Sequence, residues 1–450
     1  MKIAIAGTGY VGLVTGISLA SQNHKVVCID YEANKISKIN NGESPFYEPG
    51  INELLKKVLK KATFYATENL EKAVLESNVI MIAVGTPTVD NKIDLSFIKK
   101  VAEQIGKVLA KTNKYQVVAV KSTVLPGVTE EVVKPILEKY SNRKVGSFGL
   151  CMNPEFLREG SALEDALHPD RIVIGQYDDK SGKEFAKIYV KSSAPKIFTN
   201  LWTAEMIKYA ANSLFATLIS YANEIARISE STGKVDVVDV WQGVHLDKRL
   251  SPYIGKKQVK PGILNYIFSG CGFGGSCLPK DTKALITFAD ELGVQAQLIK
   301  SAIDINKTQP HRILLLLKSA LGENLKNKKI AVLGLTFKPK TDDIRESVSF
   351  PIIEELLSEG VQVISHDPMA YKKKVPTQLI NLAVILTDTV KDAIKNADAA
   401  IIVTAWEEYI KLSPQFFKQN MKLPIIIDGR RIYDKFSFLR AGIIYKGIGL

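Results

Sequence analysis

The sequence has few cysteines and lacks any paired cysteine motif. Its 450 residues contain only Cys28, Cys151, Cys271 and Cys277, and none of them has the CxxC spacing that is typical of zinc sites. The cysteines therefore predict no zinc site, and no residue of the sequence is assigned as a metal ligand. In a cytosolic chain the four thiols are expected to stay reduced, so one of them can serve as a reactive group.

Long apolar runs, repeats and low-complexity tracts are also absent. No stretch approaches the roughly 20 apolar residues that a membrane span needs, and the opening "MKIAIAG" leads directly into a strand pattern rather than a signal peptide. These absences predict a cytoplasmic protein without membrane contact.

Acidic residues are fewer than basic residues. Lys and Arg total 60 against 47 Asp and Glu, which gives a formal charge of +13. This balance favours anionic partners such as nucleotides and phosphosugars. A nucleic-acid partner is not predicted, because the basic residues form no concentrated stripe and no aromatic RNA-binding motif is present.

Short apolar runs alternate with amphipathic helical stretches at both ends of the chain. "KIAIAG", "KVVCID", "NVIMIAVG" and "YQVVAVKST" precede a long helical pattern that starts near residue 200, and "KKIAVLGL", "VQVIS", "AAIIVTA" and "LPIIIDG" follow it. This order predicts an α/β protein with two Rossmann-like doubly wound domains joined by a helical middle domain. We place the domains at residues 1–198, 199–322 and 323–450. The apolar middle segment favours a homodimer.

The first motif with chemical meaning is "GTGYVG" (7–12). Gly7, Gly9 and Gly12 lie between a predicted strand and a predicted helix, and Asp30 ends the next strand, which is the pattern of a dinucleotide site. Because an acidic residue there repels a 2′-phosphate, the pattern predicts NAD rather than NADP; the alternative is an ordinary tight turn. Thr86 and Thr123 lie at the ends of predicted strands, at the same edge of the sheet. Each is either a contact of the cofactor or substrate or a helix cap.

The segment "GFGGSCLPKD" (272–281) predicts a reactive thiol. Pro279 suits the first turn of a helix, so Cys277 would lie at the helix N-terminus, where the dipole and Lys280 favour a thiolate. Glycines such as Gly274 would give a substrate close access. The alternative is that Cys277 is a small buried residue, the role expected of the other three cysteines.

Two further pairs of polar residues have helical spacing. Lys208 and Asn212 are four residues apart within a mostly apolar stretch, and Glu155 and Glu159 are four apart beside Arg158. The spacing alone leaves two interpretations open for each pair. Lys208 and Asn212 are either functional or a solvated cation and a core amide, and the glutamates either converge on a site or form an exposed helical salt-bridge face.

Six motifs together resemble those of the UDP-glucose/GDP-mannose dehydrogenase family. They are "GTGYVG", "KSTVLPG", "NPEFLREGSALEDALHPDRIVIG", "EMIKYAANSLFATLISYANEIA", "GFGGSCLPKD" and "LGLTFKPKTDDIRES", in the family's order and across nearly all of the chain. The resemblance implies oxidation of a nucleotide-sugar C6 alcohol to a carboxylate by two NAD+ in succession. It also implies a thiohemiacetal and a thioester on Cys277, and it makes residues 1–198 the NAD domain and 323–450 the nucleotide-sugar domain.

The resemblance also assigns roles to individual residues. The predicted catalytic residues are Cys277, Lys208, Asn212, Asp281, Glu155 and Thr123. The predicted cofactor contacts are Gly7, Gly9, Tyr10, Val11, Gly12, Asp30, Lys35, Thr86, Thr123, Glu159, Lys280 and Arg345. The predicted substrate contacts are Glu155, Phe156, Leu157, Lys208, Asn212, Arg249, Gly274, Phe337, Lys338 and Arg430.

Several alternatives remain at this stage. Residues 249–270 are longer than the family pattern, and Arg249 is the candidate for an arginine that reaches the neighbouring subunit. The resemblance implies UDP-glucose as the substrate, with GDP-mannose and UDP-N-acetyl sugars as alternatives. An ordinary two-electron alcohol dehydrogenase and a catalytically inactive NAD-binding regulator are the other functional hypotheses.

Overall fold

The computed structural model describes residues 1–89, 92–370, 382 and 384–450. The chain forms two compact units, Met1–Ala211 and Asn212–Leu450. No helix in these described residues combines the length and apolar character that spanning a bilayer requires.

The first unit is built on an eight-stranded sheet. Its strands, together with the short ribbon β5–β6, are β1 (Lys2–Ala6), β2 (Lys25–Ile29), β3 (Phe64–Thr67), β4 (Val79–Ile82), β5 (Thr88–Val89), β6 (Lys92–Ile93), β7 (Val117–Val120), β8 (Gly149–Met152), β9 (Ile172–Gln176) and β10 (Lys196–Thr199). The strand order is β10-β9-β8-β7-β4-β1-β2-β3. The six neighbouring strands β8, β7, β4, β1, β2 and β3 are parallel to one another. β9 pairs with β8 in the antiparallel direction.

Helices cover both faces of this sheet. They are α1 (Tyr10–Ser21), α2 (Ala33–Asn40), α3 (Ile51–Lys60), α4 (Leu70–Glu76), α5 (Ser96–Leu109), α6 (Lys134–Ser141), α7 (Ala162–Leu167) and α8 (Asp179–Ala186), with a π-helical turn at Val128–Val133 before α6. Side chains alternate along β1, so Ile3 and Ile5 pack in the core that includes Leu13 of α1. Ala4 belongs to the opposite core with Ile98 of α5. This arrangement is the predicted doubly wound fold.

The second unit combines long helices with a six-stranded parallel sheet. Its helices are α9 (Leu201–Thr232), which begins in the first unit, α10 (Val237–His245), α11 (Leu278–Glu291), α12 (Gln297–Leu321), α13 (Ser349–Ser358), α14 (Val390–Ile394), α15 (Glu407–Ile410), α16 (Pro414–Asn420) and α17 (Lys435–Arg440). Its strands are β11 (Tyr253–Ile254), β12 (Lys257–Gln258), β13 (Lys329–Leu333), β14 (Gln362–His366), β15 (Ile385–Leu386), β16 (Ala399–Ile402), β17 (Ile425–Asp428) and β18 (Ile444–Gly447). The sheet order is β15-β14-β13-β16-β17-β18, and β11–β12 form a separate ribbon.

One core of this unit joins the helices to the sheet. Trp241 of α10 and Ile313 of α12 belong to the same buried cluster as Ile330 of β13 and Ile427 of β17. The predicted α/β class with a helical middle region is confirmed by these elements. The exact domain boundaries at 198/199 and 322/323 stay predictions.

Candidate active site

The glycine motif forms a tight turn between β1 and α1. Gly7 has φ +108°, and a Cβ atom there would lie 2.3 Å from the carbonyl oxygen of Ala83. A Cβ atom on Gly12 would lie 2.1 Å from the carbonyl oxygen of Gly7. Gly9, the N-cap of α1, faces open space, with no atom within 4 Å of an added Cβ. The inner side of the turn therefore has no room for side chains. Its outer side is open at the N-terminus of α1, which begins with Tyr10 and Val11.

Asp30 anchors the edge of this turn. Its Oδ2 accepts hydrogen bonds from the Thr8 amide at 3.1 Å and from the Thr8 hydroxyl, and its Oδ1 accepts from the amides of Tyr31 at 2.9 Å and Glu32 at 3.2 Å. Lys35 Nζ lies 3.7 Å from Oδ2. Burial opposes ionisation of Asp30, but these hydrogen bonds and Lys35 hold its pKa below the usual value. Asp30 is therefore an anion at neutral pH.

A cavity of about 360 Å³ lies over the turn. Gly7, Thr8, Gly9, Asp30 and Lys35 line it together with residues of the neighbouring strand ends. Its size, the open helix N-terminus at Gly9 and the ionised Asp30 fit a dinucleotide whose ribose hydroxyls face a carboxylate.

Replacing Asp30 by alanine should raise the Kd for NAD+ about tenfold, because hydrogen bonds to a charged acceptor are lost. Discrimination against NADP+ should also fall, since the repulsion of the 2′-phosphate is removed. Titration of each variant with both cofactors measures the two effects. Thr8→Val is the control: it removes a hydroxyl that bonds Asp30 but keeps the charge, so NADP+ should remain excluded. An Asp30→Ala protein with unchanged cofactor preference would contradict this role.

Tyr10 and Glu48 connect the start of α1 to the loop after β8, which includes Glu159. The Tyr10 hydroxyl donates to Glu48, a buried carboxylate that also accepts from the amides of Gly160 at 2.7 Å and Leu163 at 3.3 Å. Burial, the bond to Glu48 and the charges of Glu48 and Glu159 raise the pKa of Tyr10. Sequence reasoning missed Glu48, because a single glutamate in a Pro/Gly turn has no periodic signal.

Thr86 and Thr123 meet at the carboxyl edge of the sheet. The Thr86 hydroxyl donates to the Thr123 carbonyl at 3.0 Å. The helical segments that follow them begin at Ser96 and Val128, with Leu95 and Gly127 as N-caps, so neither threonine is a helix cap. The structure thus rejects the helix-cap alternative for both residues.

Lys208 forms a buried ion pair with Glu155. Lys208 Nζ lies 2.8 Å from Glu155 Oε1, and the two residues are 3% and 6% exposed. Glu155 Oε2 accepts from the Leu157 amide at 2.6 Å. Burial alone would raise the pKa of Glu155, but Lys208 and the Leu157 amide hold it below its usual value. Lys208 is therefore not a solvated surface cation.

The segment around Glu155 is not helical. Residues 153–158 are irregular, so Glu155 and Glu159 do not form the exposed helical salt-bridge face that their spacing allowed. Phe156 instead stacks under the Arg171 guanidinium at 3.8 Å, and Lys208 Nζ lies 5.6 Å from the same ring. This loop gathers polar and aromatic groups around the ion pair.

In the second unit, Cys277 is the N-cap of α11, and Pro279 lies in its first turn. The sequence prediction for this helix start is confirmed. Cys277 is partly exposed, whereas Cys28, Cys151 and Cys271 are buried, and none of the four forms a disulfide bond. The Ser276 hydroxyl lies 3.6 Å from Cys277 Sγ. Cys277 thus has both the access and the helix position that favour a reactive thiolate.

Asp281 lies one turn into α11 and is 1% exposed. Its amide donates to the Cys277 carbonyl at 2.9 Å. Asn212 Nδ2 donates to Asp281 Oδ2 at 2.6 Å, and Lys280 Nζ lies 2.6 Å from Oδ1. Asn212 is therefore held by a carboxylate next to residues 271–277, which we call the cysteine loop. Lys280 contacts the same carboxylate.

The glycine-rich loop packs tightly against residues 337–346. Gly275 has φ +84°, and a Cβ atom there would lie 2.7 Å from the Phe337 ring; one on Gly274 would lie 2.1 Å from the Glu346 carbonyl oxygen. The Gly275 amide donates to the Arg345 carbonyl at 3.1 Å. A side chain at Gly275 would push this loop away from Phe337, and one at Gly274 would push it away from the backbone of Glu346.

The remaining predicted substrate and cofactor contacts take different positions in this unit. Arg430 donates from Nε to the Val403 carbonyl at 2.6 Å and from Nη1 to the Gly272 carbonyl at 3.0 Å, so it braces the cysteine loop. Lys338 Nζ lies 5.4 Å from the Phe337 ring centroid. The Arg345 guanidinium forms an ion pair with Asp343, in which Nη2 lies 2.6 Å from Oδ2.

Arg249 lies at the surface just before the β11–β12 ribbon. Its side chain is 88% exposed and pairs with Asp247 at 2.6 Å. The expected contact with a neighbouring subunit stays a prediction.

No group of three or more His, Cys, Asp and Glu side chains in the described parts of the chain is arranged to hold a metal ion.

Comparison with known proteins gives full-length matches. Family models of the UDP-glucose/GDP-mannose dehydrogenase family match residues 1–193 (NAD binding domain), 202–308 (central domain) and 331–435 (UDP binding domain). The chain is 40% identical over 449 residues to UDP-glucose 6-dehydrogenase TuaD of Bacillus subtilis (strain 168), covering 100% of this chain and 93% of that protein.

Two solved structures are also similar. A UDP-glucose dehydrogenase from the hyperthermophilic archaeon Pyrobaculum islandicum superposes with a TM-score of 0.88 at 34% identity, covering 99% of this chain and 97% of that one. The UDP-D-ManNAc dehydrogenase from Pyrococcus horikoshii gives a TM-score of 0.84 at 29% identity, with coverages of 100% and 99%. The match to an NAD binding domain confirms the predicted cofactor.

Proposed function

Because the chain belongs to the UDP-glucose/GDP-mannose dehydrogenase family and is an NAD-dependent nucleotide-sugar dehydrogenase, we propose that it oxidises UDP-glucose at C6. The products are UDP-glucuronate, two NADH and three protons, formed from UDP-glucose, two NAD+ and one water. The observation that carries this proposal is the position of Cys277, a partly exposed cysteine outside any disulfide bond, at the N-terminus of α11.

Cys277 acts as the nucleophile. Its thiolate attacks the C6 aldehyde made by the first oxidation, which gives a thiohemiacetal. NAD+ held at the glycine turn and Asp30 would supply the hydride acceptor for each of the two oxidations at C6. The second oxidation leaves a thioester on Cys277, and water cleaves this bond to release the carboxylate and restore the thiol.

Five polar residues assist Cys277. Lys208 and Asn212 donate hydrogen bonds to the oxygen at C6 as negative charge develops on it. Asp281 and Thr123 position the hydrolytic water, and Glu155 accepts a proton or assists thioester hydrolysis. The buried environments of Lys208, Glu155 and Asp281 support these roles, because fixed charges act strongly where water is excluded.

The nucleotide and the sugar are bound by a wider set of residues. We assign the nucleotide diphosphate to Phe337, Lys338 and Arg430, since a guanidinium can donate two hydrogen bonds to a diphosphate. Further substrate contacts are Phe156, Leu157, Gly274 and Arg249, the last from a neighbouring subunit. Cofactor contacts beyond the glycine turn and Asp30 are Lys35, Thr86, Glu159, Lys280 and Arg345.

A homodimer through the middle domain is part of the proposal. Leu214, Tyr221 and Ile228 follow each other at seven-residue intervals along α9, and each is at least half exposed. An apolar stripe with this spacing suits packing against a second copy of the same helix. We propose that the NAD domain comprises residues 1–198, the middle domain residues 199–322 and the nucleotide-sugar domain residues 323–450.

Substrate identity is tested by measuring NADH formation at saturating NAD+ with UDP-glucose, UDP-N-acetyl sugars and GDP-mannose. We expect the highest kcat/KM with UDP-glucose. A UDP-N-acetyl sugar is the second candidate, because a UDP-D-ManNAc dehydrogenase has nearly the same fold as this chain. Preference for that substrate or for GDP-mannose would replace UDP-glucose and keep the chemistry, whereas no NADH with any of them would overturn the proposal.

A further inference from the structure

Lys121 is a buried lysine that the proposed mechanism does not use. It follows β7 directly and is 6% exposed. Its Nζ donates to Asn153 Oδ1 at 3.0 Å. The Asn153 amide is fixed because Nδ2 donates to the Val173 carbonyl at 2.8 Å, and the Tyr189 hydroxyl donates to the same Oδ1 at 2.7 Å. Asn153 thereby holds the Lys121 ammonium group in place.

The neighbourhood of Lys121 includes the Glu155–Lys208 ion pair. Lys121, Asn153 and Glu155 line one cavity of about 70 Å³. The charges interact: Glu155 favours the protonated form of Lys121, and Lys121 helps to lower the pKa of Glu155. Lys208 Nζ lies 2.8 Å from Glu155 Oε1. Two buried cations therefore share one buried carboxylate.

Two other charged residues that line this cavity, Arg171 and Asp165, contact side chains outside the cluster. Arg171 stacks on the Phe156 ring at 3.8 Å, and Asp165 pairs with Arg158 at 2.5 Å. Asp170 also lines the cavity but is exposed to solvent, so its charge is screened and it is not part of the buried cluster. The excess positive charge of the buried cluster therefore comes from Lys121, Lys208 and Glu155 themselves.

A buried cluster of net charge +1 is costly, so one of its lysines should lose a proton easily. Burial lowers the pKa of Lys121 to about 8; Glu155 opposes this shift and Lys208 adds to it. The cluster is thus cationic below about pH 8 and neutral above it.

We propose that Lys121 is a positioning residue whose ammonium group balances Glu155, so that the charge of Lys208 is available to the oxygen at C6. This inference rests on the proposed function. Without Lys121, the Glu155 carboxylate would neutralise Lys208 completely, and negative charge on the substrate oxygen would be stabilised less.

The first test compares kcat of the wild type and Lys121→Met with UDP-glucose and NAD+ across pH. Methionine has a similar length and is neutral at every pH. At pH 7 we expect kcat to fall about tenfold, as for loss of one charge near a reacting group, with little change in KM. As the pH rises from 7 to 9.5, the wild type loses the same charge, so the ratio of the two kcat values should approach one. A ratio that stays constant with pH would overturn the inference.

The second test measures unfolding of the same two proteins without cofactor or sugar. The pKa of Lys121 is about 8 in the folded chain and about 10.4 in an unfolded chain. Between these two pH values the unfolded state binds more protons than the folded state does. The free energy of unfolding of the wild type should therefore increase as the pH rises through this range. Lys121→Met should lack that gain and should be more stable than the wild type at pH 7. A variant that is less stable, or does not fold, would contradict the inference, because a lysine needed only for packing would behave in that way.

Lys114→Met is the matched control. Lys114 precedes β7 at the opposite end from Lys121 and is exposed. We expect it to keep wild-type kcat at every pH, and a loss equal to that of Lys121→Met would show a general charge effect and overturn the assignment. A wild type that oxidises none of the tested sugars would refute the proposed function instead.

Discussion

Replacing Cys277 by serine should reduce steady-state NADH formation on the order of 10⁴-fold, as expected when a catalytic nucleophile is lost. Serine keeps the shape of cysteine and its place as the N-cap of α11. It lacks the easily ionised sulfur, and any acyl intermediate becomes an ester, which water cleaves more slowly than a thioester. The effect should therefore appear in kcat.

The measurement is NADH formation over many turnovers, with intact-mass spectrometry to detect a sugar adduct. Cys271→Ala is the control: Cys271 lies in the same loop but is fully buried, with its thiol 3.6 Å from the Val403 carbonyl. That variant should lose some stability and retain turnover. A Cys277→Ser enzyme with near wild-type turnover would leave the covalent mechanism without its nucleophile.

Replacing Lys208 by alanine should lower kcat about 10³-fold and change KM for the sugar much less. A cation that faces developing negative charge acts mainly in the transition state, so its loss affects the chemical step more than ground-state binding. The same change leaves the buried Glu155 without its 2.8 Å partner. Because Lys121 still balances part of the Glu155 charge, we also expect the free energy of unfolding to fall, but by less than the ~3 kcal/mol typical of a fully unpaired buried charge.

A double variant separates these two effects. Lys208→Met with Glu155→Gln replaces the pair by neutral groups of similar size, so stability should return towards the wild-type value while turnover stays low. Denaturant unfolding and steady-state kinetics on the three proteins give both readouts. If Lys208→Ala changed only KM, Lys208 would be a binding residue and its catalytic role would be wrong.

Much of the fold was predictable because buried parallel strands are continuous apolar runs. β1, β4 and β16, for example, are apolar nearly throughout and are central in their sheets. β10 was missed because it is a short edge strand with no buried side chain, so it lacks an apolar core face. The antiparallel pairing of β9 with β8 was also missed, since apolar patterning does not encode strand direction.

The site was predictable where local sequence fixes the geometry. Pro279 identified the start of α11 and hence the position of Cys277. The glycine motif predicted the tight turn between β1 and α1, and the assignment of NAD to this turn and Asp30 stays a prediction. The family, the cofactor and the enzyme class predicted from the motifs are confirmed by the comparisons. The pairing of Lys208 with Glu155 was not predictable, because these residues are 53 positions apart and meet only in the fold.

Lys121 shows a further limit of sequence reasoning. A lysine at the carboxyl end of an apolar strand, as in "VVAVKST", is usually taken as the point where the chain returns to solvent. Here the strand end is covered: Asn153 accepts a hydrogen bond from the ammonium group, and Glu155 lines the same cavity. Only the packed structure distinguishes a buried lysine from a solvated one.

The most direct measurement of the central claim is the number of NADH molecules formed per nucleotide sugar consumed. With limiting UDP-glucose and excess NAD+, the reaction should be followed to completion by absorbance, and the sugar product identified by mass. Two NADH per UDP-glucuronate is the result that the thioester mechanism on Cys277 predicts. One NADH per sugar with an aldehyde product would contradict it, because the chain would then be an ordinary two-electron alcohol dehydrogenase.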